Sequence, residues 1–162
     1  MTTRSFITEI PLCISSREER ALLVRLDAAR QVYNACLGEC LKRLRRMRES
    51  KAYQRARKLE KGNIRRDAFK EIRRRFAFSE YDLHAYAKQF NHSWLGEHLD
   101  SQAIQKLATR AFQAVEQHTY RKRGKPRFKG KNQFDSVEGK SNKTGIRWRD
   151  DHVAWLGLKL RA

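Results

Sequence analysis

The segment GKPRFKGK, residues 124–131, marks the position at which the predicted secondary structure of this chain changes from helices to strands. It places three lysines and one arginine around Phe128 and Pro126, which is one of only two prolines among the 162 residues. Proline fixes the backbone, and an aromatic ring favours a surface to lie on, whereas a solvated cationic tail requires neither. We therefore predict that a folded surface holds these positive charges in a fixed arrangement.

Upstream of this segment, apolar residues recur at intervals of three or four, which predicts helices. Ser16 and Glu19 form a capping-box pattern at the start of the first helix, and its apolar face extends to Met47. Residues 48–75 lack a continuous apolar face, and the pair Gly62-Asn63 is predicted to divide them into two helices.

Two further helices are predicted before the segment. Ser79 and Asp82 indicate the start of a short helix. Ser101 is predicted to cap a longer helix, which has a single apolar face and ends near Gly124.

Downstream of Pro126, short β-favouring stretches alternate with Gly, Asn and Asp turns. Strands are predicted at residues 146–149, 153–156 and 158–160, with Asp150-Asp151 as a hairpin turn.

At the other end of the chain, residues 6–14 are predicted to form a short edge strand, because Pro11 interrupts their apolar pattern. The two chain ends would then form one β-module, a small sheet or barrel, into which a helical segment of about a hundred residues is inserted.

Positive charge is concentrated in two blocks. Residues 42–75 hold 11 Arg and 5 Lys against 4 acidic residues, and residues 121–131 hold 7 cationic residues and no acidic one. These blocks account for the whole net charge of +19, so the remainder of the chain is neutral. A solvated helix face would be served as well by Lys, whereas the planar guanidinium of Arg suits phosphate and stacks on bases. The blocks therefore predict a nucleic-acid partner.

The sequence offers few groups for metal or acid–base chemistry. Cys36 and Cys40 fall on the apolar face of the first helix, which indicates burial rather than a zinc site. With Cys13, the number of cysteines is odd. Asp150-Asp151 favours a turn over a metal site, because neighbouring strand residues point to opposite faces. We expect no catalytic residue, no metal ligand and no cofactor in this chain. No signal peptide or membrane span is predicted, and we expect a cytoplasmic protein.

The order of several short motifs resembles the N-terminal half of TnpB (OrfB), a transposon-encoded family of RNA-guided nucleases related to the type V CRISPR effectors. These motifs are Arg30-x-x-Tyr33-Asn34, Ser93-Trp94-Leu95, Ala103-Ile104-Gln105 and Pro126-Arg127-Phe128-Lys129. The resemblance covers nearly the whole chain. Thr8 and Glu9 depart from it, since this stretch is commonly basic in the family.

The resemblance implies an α+β fold, in which residues 1–14 and 126–162 form a wedge-like β-barrel of OB type. Residues 15–125 would form an inserted helical bundle, the recognition lobe. In the family, these parts bind a guide RNA and the duplex DNA beside the target. In the family, a RuvC-like nuclease domain that binds divalent metal follows the barrel, and we expect this chain to lack that domain. We also expect the protein to act in a prokaryotic nucleoid.

We predict that the nucleic-acid-binding residues belong to the two basic blocks and to two helix positions. Ser101 and Gln105 lie one helical turn apart, and Gln is suited to an adenine edge. Asn34 is predicted to make a structural contact instead. The remaining predicted binding residues are Arg30, Arg45, Arg46, Arg55, Arg65, Arg66, Arg73, Arg74, Arg123, Lys125, Arg127, Lys129 and Lys131.

Two other functions stay open from the sequence. The chain could be the front half of a split RNA-guided nuclease that a separate RuvC polypeptide completes. Alternatively, residues 17–47 could be the reading helices of a helix-turn-helix DNA-binding protein, which would favour dimers and palindromic sites. Several aromatic residues could either stack on bases or anchor the fold, namely Tyr53, Phe76, Trp148 and Trp155.

Overall fold

The computed structural model describes residues 6–162, and the chain is mostly helical. Within these residues no helix is both long enough and apolar enough to cross a bilayer. The helices are α1 (Ser16–Glu49), α2 (Lys51–Lys58), α3 (Asn63–Arg75), α4 (Glu80–Ala87) and α5 (Ser101–Thr119), with 3₁₀ turns at Lys88–His92 and Trp94–Glu97. The strands are β1 (Arg147–Arg149), β2 (His152–Trp155) and β3 (Leu158–Arg161).

Helix α1 is the longest element and forms the centre of the fold. Its N-terminus has a capping box between Ser15 and Glu18, one residue earlier than the sequence predicts. Its apolar face packs mainly on α5, so that Val32, Cys36 and Leu37 are fully buried. This packing, rather than local propensity, accounts for most of the stability of such a helix.

Helix α5 begins and ends earlier than predicted. Asp100, not Ser101, is the N-cap, because its Oδ1 accepts hydrogen bonds from the backbone N–H groups of Gln102 and Ala103, each at 3.0 Å. The helix ends at Thr119 rather than near Gly124.

The predicted division of residues 48–75 is confirmed, since α2 and α3 flank Gly62. Each buries a single residue, Ala56 in α2 and Ile72 in α3. The rings of Tyr53 and Phe69 meet edge to face with centroids 5.3 Å apart and join the two helices.

The predicted barrel is wrong. The strands form one open antiparallel sheet in the order β1-β2-β3, with the predicted turn at Asp150-Asp151. Residues 6–12 are not a strand, and the N-terminal segment pairs with the sheet through a single bridge between Cys13 and Arg161. Three strands of three or four residues are too few to close a barrel. Residues 1–5 of the predicted barrel lie outside the described residues.

The sheet is attached to the helices at one junction. Arg25 of α1 donates hydrogen bonds to the backbone oxygens of Trp155 and Leu156, at 2.5 and 2.8 Å, and its guanidinium lies 4.8 Å from the centroid of the Trp155 ring system. The indole N–H of Trp155 donates to Oδ2 of Asp100 at 2.9 Å. The junction therefore joins the β2–β3 turn to α1 and to the start of α5.

Candidate nucleic-acid interface

Residues 124–130 form no regular secondary structure and contact α1 through Phe128 and Lys129. The side-chain amide of Asn34 donates to the carbonyl of Lys129 and accepts from its N–H, both at 2.8 Å. Arg30 reaches the same carbonyl at 3.4 Å. This contact between α1 and residues 124–131 agrees with the predicted structural role of Asn34.

Phe128 lies against a helix surface, which agrees with the expectation that its ring needs a surface to lie on. Its ring lies against Gly38 of α1, where an added Cβ would be 3.6 Å from Cε1, and the side chain remains 58% exposed. Pro126 and the Asn34 contact therefore hold an exposed aromatic ring beside a helix rather than inside a core.

An open cleft of about 560 Å³ lies beside this ring, and we call it the Phe128 cleft. Its lining brings together Arg45 of the first basic block and Lys125 of the second. Four apolar positions contribute to the lining, and most of its surface is apolar. Its other lining residues are Gly38, Leu41, Lys42, Leu44, Arg48, Glu49, His118 and Phe128.

Two neighbouring clefts share residues with the Phe128 cleft. One, of about 390 Å³, shares Arg48 and His118 and adds Tyr53, Arg57 and Arg121. The other, of about 340 Å³, shares Phe128 and includes Arg123, Arg127 and Lys129. Because each neighbour shares lining residues with the first, the three clefts are adjacent. We call the surface that lines them the basic face, and its cations are Lys42, Arg45, Arg48, Arg57, Arg121, Arg123, Lys125, Arg127 and Lys129.

Several predicted binding residues are engaged within the protein. Arg73 binds Glu116 at 3.0 Å and the Tyr120 hydroxyl at 3.2 Å, which attaches α3 to α5. Arg30 pairs with Asp27 at 2.9 Å. The pKa of Asp27 is lowered, mainly by this hydrogen bond and to a smaller extent by the charge of nearby Lys131.

Other predicted binding residues lie on α1, α2 and α3. Arg74 pairs with Glu71 at 2.9 Å, and Arg65 lies with its guanidinium 5.7 Å from the centroid of the Phe69 ring. Arg46, Arg55 and Arg66 are exposed.

Ser101 and Gln105 lie together, as predicted, but in a separate cleft of about 310 Å³ that His84 also lines. Gln105 does not present a free adenine-reading edge. Its Nε2 lies 3.2 Å from Nδ1 of His84, and its Oε1 accepts from Nζ of Lys140 at 3.0 Å.

The His84 tautomer follows from this chain of hydrogen bonds. The Thr109 hydroxyl donates its one proton to Glu80 at 2.7 Å. Nε2 of His84 lies 2.7 Å from the same hydroxyl oxygen, so it must be protonated and donate to that oxygen. Nδ1 is then unprotonated and accepts from Gln105. Burial lowers the pKa of His84, and Lys140 lowers it further, against an opposing effect of Glu80. A neutral imidazole is therefore favoured.

The cysteines match the expected burial. Cys36 and Cys40 are buried, and burial raises the pKa of each thiol to about 12. Cys13 is exposed at the bridge to β3. Among residues 6–162, no three His, Cys, Asp or Glu side chains are grouped so as to hold a metal ion.

Both basic blocks contribute to the basic face, but some of its members are not among the predicted binding residues. Lys42, Arg48, Arg57 and Arg121 belong to these blocks, so charge density alone could have found them. His118 of α5 also lines two of the clefts and lies in neither basic block.

Residues 17–47 lie within one unbroken helix, so this stretch contains no helix-turn-helix.

No family model, curated protein or solved structure matches the chain.

Proposed function

We propose that this protein binds nucleic acid through the basic face, and that its main partner is RNA with unpaired nucleotides. The observation that carries the proposal is the Phe128 cleft, where Arg45 and Lys125 of two sequence-distant blocks meet beside an exposed aromatic ring. Cations that converge on one surface can neutralise neighbouring phosphates of one strand.

The aromatic residues favour single-stranded segments over a plain duplex. Phe128 and Tyr53 line clefts of the basic face. Bases that are not paired can stack on such rings, whereas a continuous duplex offers them only its backbone and groove edges.

The resemblance to TnpB supports a more specific form of the proposal. The residues described here would bind a structured guide-type RNA, together with duplex DNA beside a target, and would not themselves cut it. The rival form is the front half of a split nuclease. The two forms differ in whether addition of a separate RuvC polypeptide gives metal-dependent DNA cleavage.

The proposed function is tested by sequencing the nucleic acid that co-purifies with the protein from its native cell without nuclease treatment. We expect defined structured transcripts. Purified protein should then bind such a transcript more tightly than duplex DNA of equal length, with heparin as the non-specific competitor. Random DNA in the preparation, or binding no stronger than to heparin, would contradict the proposal.

A further inference from the structure

The Phe128 cleft has the dimensions and lining of a small-ligand site. Its volume of about 560 Å³ lies within the ~300–1,000 Å³ typical of such pockets. Leu41, Leu44, Gly38 and the Phe128 ring supply apolar surface, so the cleft suits a flat apolar group rather than a bare phosphate.

The backbone beside Phe128 is held in place before any ligand arrives. Proline precedes it by two residues, and the next residue, Lys129, is held to Asn34 by two hydrogen bonds of 2.8 Å. One edge of the ring lies over Gly38 of α1, where an added Cβ would be at an ordinary contact distance of 3.6 Å, and 58% of the side chain stays exposed. A ring on a held backbone, with an open side, costs little entropy when a second ring stacks on it.

The charges around the cleft suit the phosphates on both sides of one nucleotide. Lys42, Arg45, Arg48 and Lys125 line it, against the single carboxylate of Glu49. Besides these four cations and Glu49, His118 is the one other polar side chain among the lining residues. With the four cations assigned to phosphates, Glu49 and His118 remain to contact a base edge, which favours stacking without strong base preference.

We propose that the Phe128 cleft binds one unpaired nucleobase of an RNA strand, stacked on Phe128, with the flanking phosphates held by the lining cations. This inference rests on the proposed function and adds a specific nucleotide subsite to it. The subsite would accept any of the four bases, with preferences set by stacking strength.

The first test is the affinity of Phe128 variants for a short single-stranded oligouridylate and for a fully paired RNA duplex. Phe128→Ala should weaken binding of the single strand by roughly 5- to 150-fold, the usual effect of losing one stacked base. Affinity for the duplex should stay within about twofold. Phe128→Trp should retain single-strand binding, whereas Phe128→Leu should lose it, because leucine keeps apolar bulk without an aromatic face.

Two controls separate stacking from a general loss of structure. Tyr81→Ala removes another exposed ring, 84% exposed on α4, and should leave both affinities unchanged. Gly38→Leu places a side chain between α1 and the Phe128 ring and should reproduce the effect of Phe128→Ala. Circular dichroism melting identifies any variant that fails to fold.

The second test is photocrosslinking with an oligouridylate that carries 5-iodouridine, followed by mapping of the linked peptide. We expect the link at Phe128. If wild-type protein binds RNA with a strong salt dependence, but Phe128→Ala binds the single strand normally and the link maps elsewhere, the subsite is refuted while the proposed function stands. Absence of RNA binding by wild-type protein would instead refute the proposed function.

Discussion

Asn34 and Lys129 are linked by two hydrogen bonds of 2.8 Å, in which one side-chain amide satisfies both backbone groups of the other residue. A helix side chain thereby pairs with the backbone of a residue 95 positions away in the sequence, as a neighbouring strand would. This contact holds the backbone of Lys129, the residue next to Phe128, against α1.

Replacement of Asn34 should therefore release the segment. We expect Asn34→Ala to lower the free energy of unfolding by about 1–2 kcal/mol, because two hydrogen bonds of ordinary strength are lost. Urea unfolding measures this change. Gln113→Ala, at an exposed position of α5, is the matched control and should change stability by less than about 0.5 kcal/mol. Equal effects of the two changes would mean that the contact does not hold the segment.

The junction at Arg25 should be more sensitive. Arg25→Met leaves the backbone oxygens of Trp155 and Leu156 without their charged donor, and we expect a loss of roughly 2–4 kcal/mol. Arg20→Met, at an exposed position of the same helix, is the control. Near-ultraviolet circular dichroism should report a changed environment of Trp155. A stability equal to that of the control would contradict the proposed importance of the junction.

Stability should depend on pH through His84. Its pKa is lowered in the folded protein, so the unfolded chain binds the proton more readily. The corresponding stability is fully present above the ordinary value of 6.5 and is lost as the pH falls toward the lowered pKa. Urea midpoints between pH 7.5 and 5 should therefore fall in the wild type and fall less in His84→Gln. Parallel pH profiles would show that His84 is not the responsible group.

Thiol reactivity should distinguish the three cysteines. Cys36 and Cys40 are buried with pKa values of about 12, whereas Cys13 is exposed. Ellman's reagent should modify one thiol quickly in the native protein and three in denaturant. Cys13→Ser should abolish the fast reaction. Fast modification of two or more thiols under native conditions would contradict the described packing of α1.

Local patterns predicted the helices well. The apolar spacing from Leu22 to Met47 describes one face of α1, and Gly62 does separate α2 from α3. These features depend on residues close together in the sequence. The one-residue error at α5 arose because Asp100 and Ser101 are both good capping residues, and only the folded chain selects between them.

Features that depend on distant residues were not predictable in the same way. The alternation near residues 146–160 predicted the strands correctly, but closure of a barrel requires further strands, which residues 6–12 do not supply. Arg25 gave no signal, since its role depends on carbonyls 130 and 131 residues away. The two basic blocks were evident from charge, whereas their meeting at Arg45 and Lys125 depends on how residues 124–131 lie along α1.

The most direct test of the central claim, that cations of both blocks bind one nucleic-acid strand, is the salt dependence of RNA affinity. Log Kd should be measured against log salt concentration for wild type, Arg45→Gln, Lys125→Gln and the double variant. Each single change should reduce the slope by about 0.7, the double change by about 1.4, and the control Lys159→Gln on β3 should leave it unaltered. A flat wild-type slope, or equal slopes for the double variant and the control, would contradict the account.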